Sequence, residues 1–164
     1  MDRAAMGIES FADKLAIVEL HDRFGALLDA SAYEGLVDVF TSDAVVEGWD
    51  EKAWEGSAQI AKRLAEINAD HRGSHRMITN HRVRVAAGRA RCVAHYRSAH
   101  LDSDSAPGPI YKQTHSHEGW YLTELRRTET GWRFSRLKHV SLSRADSSTP
   151  EGRAVMAEVL AFVS

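Results

Sequence analysis

Between Phe11 and Asp29 the apolar residues recur at helical spacing. Ile17, Leu20, Phe24, Leu27 and Leu28 make one stripe. Phe11, Leu15, Val18, Asp22, Gly25 and Asp29 make a second. A helix apolar over so broad an arc is expected to be covered on more than one side. Residues 1–9 read as a loose start. Ser10 with Asp13 supplies an N-cap and an acidic first turn. Ser31-Ala-Tyr-Glu34 has the pattern of a capping box and predicts a second helix through Phe40. Ala44 to Trp49 reads as a short strand carrying the acidic Glu47. Ser57 caps a third helix through Ala69, whose inner face is Ile60, Leu64 and Ile67.

From Ser74 the period changes from helical to two. Strands are expected over His75–Ala86, Arg89–His100, Tyr111–Arg126 and Trp132–Ser141. Ala87-Gly88 and Glu129-Thr130-Gly131 are their turns. Leu101 to Pro109, LDSDSAPGP, reads as a linker able to act as a lid. Thr149-Pro150-Glu151 starts a terminal helix over residues 150–162. Helices followed by long antiparallel strands give a single α+β domain over residues 1–164. Its strongly bent, mostly antiparallel sheet wraps the first helices and leaves a cone with an open mouth.

A two-residue turn at Ala87-Gly88 pairs Val85 with Ala90, Thr79 with Tyr96 and His75 with His100. Paired residues share a face. One face then carries His75, Met77, Thr79, His81, Val83 and Val85 opposite Ala90, Cys92, Ala94, Tyr96, Ser98 and His100, which suits a pocket lining. Arg82, Arg84, Arg91, His95 and Arg97 fall on the other face. A bulge in either strand would flip part of this assignment. Arg84 opposite Arg91 is a like-charge pair and calls for a nearby counter-charge.

Composition narrows the function. The chain has 164 residues, a formal net charge of -2, nine histidines and one cysteine. That charge gives no reason to expect nucleic acid or an anionic membrane as partner. No apolar run is long enough to span a bilayer, and Met1 to Ser10 has no signal-peptide pattern. A lone Cys92 forms no disulfide within the chain, so a reducing cytoplasm is the expected compartment.

Two residues stand out chemically. Asp29 ends an apolar helix, where a carboxylate meets the unfavourable end of the dipole, and Ser31 already accounts for the next cap. His75 opens the first long strand. Histidine accepts a proton near neutral pH, and a carboxylate on its other nitrogen fixes the tautomer. The expectation is a dyad with His75 as base and Asp29 as its orienting partner. Phe24, Met77, Tyr96, His100, His117, Tyr121 and His139 are the candidate pocket residues. A zinc set drawn from His115 and His117, His71 and His75, with His100, is the metal alternative. No HExxH motif or cysteine ligand accompanies it, so no metal and no other cofactor is assigned.

The succession LLDASAYEGLVDVF, AVVEGW, HRMITNHRV and GWRFSRLKH resembles the SnoaL-like branch of the nuclear-transport-factor-2-like (NTF2-like) superfamily, over about Ser10 to Ser143. That branch is similar to scytalone dehydratase, hexachlorocyclohexane dehydrochlorinase, bile-acid dehydratase and polyketide cyclases. The resemblance implies a cone-shaped α+β barrel, a homodimer or homotrimer, and a catalytic Asp–His dyad whose positions match Asp29 and His75. It departs at Phe24, where some dehydratases and dehydrochlorinases of the branch carry Tyr or Lys. An acid would then come from His139, Tyr96, Tyr121, His100 or His117. Arg127 lies near a basic residue of the dehydrochlorinase-like members, but reads first as an exposed hairpin arginine.

Three functions follow. The first is a cofactor-free lyase, isomerase or cyclase that abstracts a proton from a small, largely apolar cyclic molecule. The second is a non-catalytic ligand-binding or assembly module using the same pocket. The third is a metal-dependent enzyme using the histidine cluster.

Overall fold

The long first helix, α1 (Arg3–Asp29), is followed by a 3₁₀ helix (Tyr33–Asp38), β1 (Phe40–Glu47), β2 (Trp54–Glu55) and α2 (Ser57–Ile67). Then come β3 (His71–Ala86), β4 (Arg89–Asp102), β5 (His115–Thr128) and β6 (Gly131–Ser141), a 3₁₀ turn (Leu142–Ala145) and α3 (Pro150–Ala161). The structure is a computed structural model that describes residues 3–102 and 115–164. Most of the expected lid, and Tyr111 to Thr114 of the expected third strand, lie outside the described residues.

The six strands form one curled, unclosed sheet in the order β2-β1-β6-β5-β4-β3. Only β1 and β6 run parallel; the other neighbours are antiparallel. The α+β cone expected from the pattern is therefore the observed architecture. α1 packs on the inner face through Ile17, Leu20, Phe24 and Leu28. Phe24 is fully buried and meets Phe40, Tyr121 and Phe134 edge to face. Burying one such ring stabilises by roughly 1.5–3 kcal/mol. A smaller cluster on the outer face joins Val93, Leu122 and Val140 to Val159 of α3. Thr149 caps α3 as expected, its side chain accepting from the Gly152 amide.

The first helices depart from expectation in instructive ways. α1 already runs from Arg3, so Ser10 is not its cap. The second apolar stripe is only partly covered: Phe11 is 69% and Leu15 49% exposed. The capping box does not form. Ser31 adopts φ 54°, whereas an N-cap needs extended backbone. Instead the Ser31 amide bonds to the Leu28 carbonyl and the Ala32 amide to the Leu27 carbonyl. That is a Schellman closure with Ser31 at its left-handed position. The next segment is a single 3₁₀ stretch, and Gly56 rather than Ser57 occupies the N-cap of α2. Among the described residues no helix is long and apolar enough to cross a membrane.

Candidate functional site

Strand register decides which side chains reach the cone interior. Near the turn the pairing is the expected one, with Val85 opposite Ala90 and Val83 opposite Cys92. Between Thr79 and Arg82 the register slips, so that Asn80 and His81 face the single residue Ala94. Asn80 carries the slip with φ 54°, a left-handed conformation that Asn tolerates better than most residues. From this bulge back to Gly73 every β3 side chain changes face. Ile78 now opposes Tyr96, Arg76 opposes Ser98 and Ser74 opposes His100. The expectation that His75, Met77 and Thr79 line the interior is corrected accordingly. The His75 side chain is 77% exposed, and Met77 is 48% exposed. On β4 the expected face holds: Ala90, Cys92, Ala94, Tyr96, Ser98 and His100 are all buried.

Arg76 takes the place expected for His75. Its guanidinium Nη1 donates to Asp29 Oδ1 at 2.8 Å and to Ser74 Oγ at 2.6 Å, and Nη2 donates to Asn68 Oδ1 at 3.2 Å. The Arg76 amide donates to Asp29 Oδ2 at 2.8 Å, and the Ser74 hydroxyl donates to Oδ1 at 3.1 Å. This explains a carboxylate at a helix C-terminus: Asp29 joins α1 to β3 through a charge-assisted network. His75 Nδ1 approaches Asp29 Oδ2 only to 3.9 Å, beyond hydrogen-bond distance.

A cavity of about 260 Å³ opens inside the cone. Arg76, Asn68 and Leu28 line it beside Trp49, Tyr96, Tyr121 and His139, and His71, His100 and His117 close another part of its wall. Its chemistry centres on Tyr96 and His139. The Tyr96 hydroxyl lies 2.5 Å from His139 Nε2, and His139 Nδ1 lies 3.4 Å from the Gly48 carbonyl. Gly48 has φ +96°, and a Cβ there would fall 2.0 Å from the His139 carbonyl oxygen, so only glycine fits. Burial lowers the His139 pKa to about 4; the Gly48 contact opposes the shift, and the charges of His117 and Arg144 add to it. Burial, with smaller contributions from Tyr121 and Glu118, raises the Tyr96 hydroxyl well above its ordinary value. At neutral pH the imidazole is neutral, with Nδ1–H toward Gly48 and Nε2 accepting from the Tyr96 hydroxyl.

Aromatic rings form much of the wall. Trp49 stacks on His139 at 4.4 Å between centroids, and Tyr96 stacks on Tyr121 at 4.5 Å. Burial pushes the Tyr121 hydroxyl up to about 12, with Arg76 opposing the rise. Flat aromatic faces interleaved with polar side chains leave room for a small ligand that both stacks and forms hydrogen bonds.

The histidines form a second group. His100 and His115 are directly paired across β4 and β5 and stack at 5.0 Å. His71 lies 4.5 Å from His100 and 5.0 Å from His115, ring to ring. His117 meets both His100 and His115 edge-on. Burial first, then Arg76 and the neighbouring imidazoles, lowers His100 to about 4.

Of the candidate residues, Tyr96, His100, His117, Tyr121 and His139 come together at the cavity. Phe24 belongs to the core and is not part of the cavity wall. Arg127 pairs with Asp13 and lies over the Trp132 ring, away from the cavity. Glu124 supplies the counter-charge expected for the Arg84–Arg91 pair, 3.4 Å from Arg91. Sequence reasoning missed Arg76, Ser74, Asn68 and Trp49. The signal for the first two was the left-handed tolerance of Asn80, which marks a bulge site within an otherwise alternating strand.

Comparison with known structures agrees with this geometry. Kfla4162 from Kribbella flavida is 23% identical, covers 81% of this chain and 93% of its own, and superposes with a TM-score of 0.71. An NTF2-like protein with a cystatin-like fold from Novosphingobium aromaticivorans is 21% identical over 93% of this chain and 94% of its own, TM-score 0.70. A type 2 hexachlorocyclohexane dehydrochlorinase is 16% identical over 83% of this chain and 89% of its own, TM-score 0.69. At such identities the likeness is one of fold. A search of curated proteins finds no match to this chain. The SnoaL-like domain family matches residues 9–138, most of the sheet and both helices that close the cone, and the chain belongs to that family.

Proposed function

We propose that this protein is a lyase-, isomerase- or cyclase-type enzyme that moves a proton on a small, largely apolar cyclic molecule bearing a carbonyl or a leaving group. The observation that carries the reading is a hydrogen-bonded hydroxyl–imidazole pair, Tyr96 with His139, in the same aromatic-walled cavity as a buried arginine. The Tyr96 hydroxyl passes its proton to His139 Nε2 as its oxygen takes the acidic proton of the ligand. Charge then develops on the ligand oxygen, and the Arg76 guanidinium stabilises it. Arg76 is already oriented by Asp29, Ser74 and Asn68, so little reorganisation is needed during the reaction. A hexachlorocyclohexane dehydrochlorinase is among the structures similar in fold, and the proposed chemistry is compatible with that name.

A second reading keeps His75 as base with Asp29 as partner, favoured by their 3.9 Å approach. In it, rotation of the exposed imidazole closes the remaining gap. One experiment separates the readings. Cyclic ketones and aryl ketones are incubated with the protein in deuterated water, and incorporation at the acidic carbon is followed by NMR. Under the Tyr96–His139 reading, Tyr96→Phe and His139→Gln each lose about 10²–10⁴ in exchange rate, and His75→Ala exchanges like wild type. Loss confined to His75→Ala transfers the role to the dyad. Ligands that bind without exchange make the cone a binding module, the non-catalytic alternative.

A further inference from the structure

We propose that His71, His100 and His115 form a three-histidine binding site for a divalent transition metal, zinc in the first place. One ligand nitrogen from each lies within 4.8 Å of the others. Such points fit within about 2.8 Å of a common centre, 4.8 divided by √3, and a zinc–imidazole bond is about 2.0–2.1 Å long. Shifts of about 0.7 Å per ligating nitrogen therefore bring all three to bonding distance of one ion.

The scaffold places these rings deliberately on one face. They come from three neighbouring strands, β3, β4 and β5. His100 and His115 are direct partners across the ladder. His71 reaches the same side through a second register slip. Ser74 opposes His100, but His71 opposes Asp102, because one extra residue is taken up between His71 and Gly73. Without that slip His71 would point to the opposite face. Ser98 Oγ lies 3.1 Å from His100 Nε2 and fixes the orientation of that ring, the kind of outer contact that ligating histidines use. Two bulges in one strand thus bring both Arg76 and His71 to the interior.

Three protein ligands leave a coordination position for water or a ligand oxygen. His71 and His100 both line the cavity, so an ion held there faces the same space as Arg76. Imidazole ligation suits zinc, cobalt, nickel and copper rather than magnesium or calcium. The site stands on the three histidines alone and does not depend on the Tyr96–His139 pair.

The test uses the full chain, stripped with a chelator and free of any affinity tag. Zn²⁺ is titrated calorimetrically, and Co²⁺ is followed by visible absorption. The expected result is one equivalent of Zn²⁺ bound with a micromolar or tighter constant, and intense ligand-field bands from four- or five-coordinate Co²⁺. His71→Asn and His115→Asn should each weaken binding roughly 100-fold. His95→Asn, on the outer side of β4, should leave it unchanged. Circular dichroism and the metal-free melting temperature verify that each variant is folded, so a buried His100 variant is not needed. Absent saturable binding, a Co²⁺ spectrum of the hexa-aqua ion, or undiminished affinity in the His71→Asn/His115→Asn double variant each overturns the site. None of those results bears on proton exchange by Tyr96 and His139, so the two readings fail separately.

Discussion

The hairpin of β3 and β4 has two halves that obey the same alternation with opposite outcomes. From Arg82 to Ala86 the residues face as a continuous two-residue period dictates, with Val83 and Val85 inward and Arg84 outward beside Arg91. From Gly73 to Thr79 the same period holds, but its phase is inverted by the bulge at Asn80. One half therefore presents aliphatic side chains to the core, and the other presents Arg76, held by Ser74, to a cavity. The difference teaches that one backbone residue, rather than any property of the side chains it moves, selects the polar lining of this site.

Removing the bulge should have the largest effect. Deletion of Asn80 restores one register through the hairpin, turns Arg76 and Ile78 outward and brings His75 and Met77 in. The loss of the Asp29 network and of Ile78 packing is expected to cost at least about 4 kcal/mol in urea unfolding. A deletion variant as stable as wild type would show that the cavity half does not depend on its phase.

Next in size is the ion pair that the inverted half supports. Arg76→Leu leaves the Asp29 carboxylate without its cation. Because the Arg76 side chain is 6% exposed, the expected loss is about 3 kcal/mol. The equivalent change in the other half, Arg84→Leu, should stay within about 0.5 kcal/mol. Combining Arg76→Leu with Asp29→Asn should recover part of the loss, and strict additivity would mean that the two groups are not coupled.

Acid should act on the buried imidazoles progressively rather than at a single step. Burial lowers His21 to about 3 and His139 to about 4, against about 6.5 in an unfolded chain. Between those values the unfolded state binds more protons than the folded one. Stability is therefore full above about pH 6.5 and falls as the pH drops toward 4, by up to about 1.4 kcal/mol per unit for each buried imidazole. His21 packs at 5.1 Å against His81 of the bulge. His21→Leu should flatten the acid limb of the melting-temperature profile, and an unchanged slope would locate the acid sensitivity elsewhere. The smallest effect belongs to His75→Ala, expected within about 0.5 kcal/mol of wild type for so exposed a side chain.

Much of the architecture was legible from local pattern. The switch from helical to two-residue period after α2, the turn at Ala87-Gly88, the inner face of β4 and the Thr149 cap all follow from short-range chemistry that each segment carries itself. Five of the candidate pocket residues were found because β4, β5 and β6 keep their phase through the stretches that carry them. The Ser31 capping box failed because a Schellman closure used the same residue in a left-handed conformation, a competition between two local motifs that periodicity does not weigh.

Asp29 shows where local reading ends. That a carboxylate at a helix C-terminus needs a partner was evident from the dipole alone, yet its main partner is Arg76 and not the adjacent His75. The amino-acid order was enough to define the elements, their order and the residues rich in chemistry. Only packing chose between neighbours one position apart. Register is a property of two strands meeting, and an extra residue at Asn80 or before Gly73 reverses every facing beyond it without changing the alternation in the letters. The Arg76 network and the gathering of His71 with His100 and His115 both depend on that phase, so both belong to the tertiary structure.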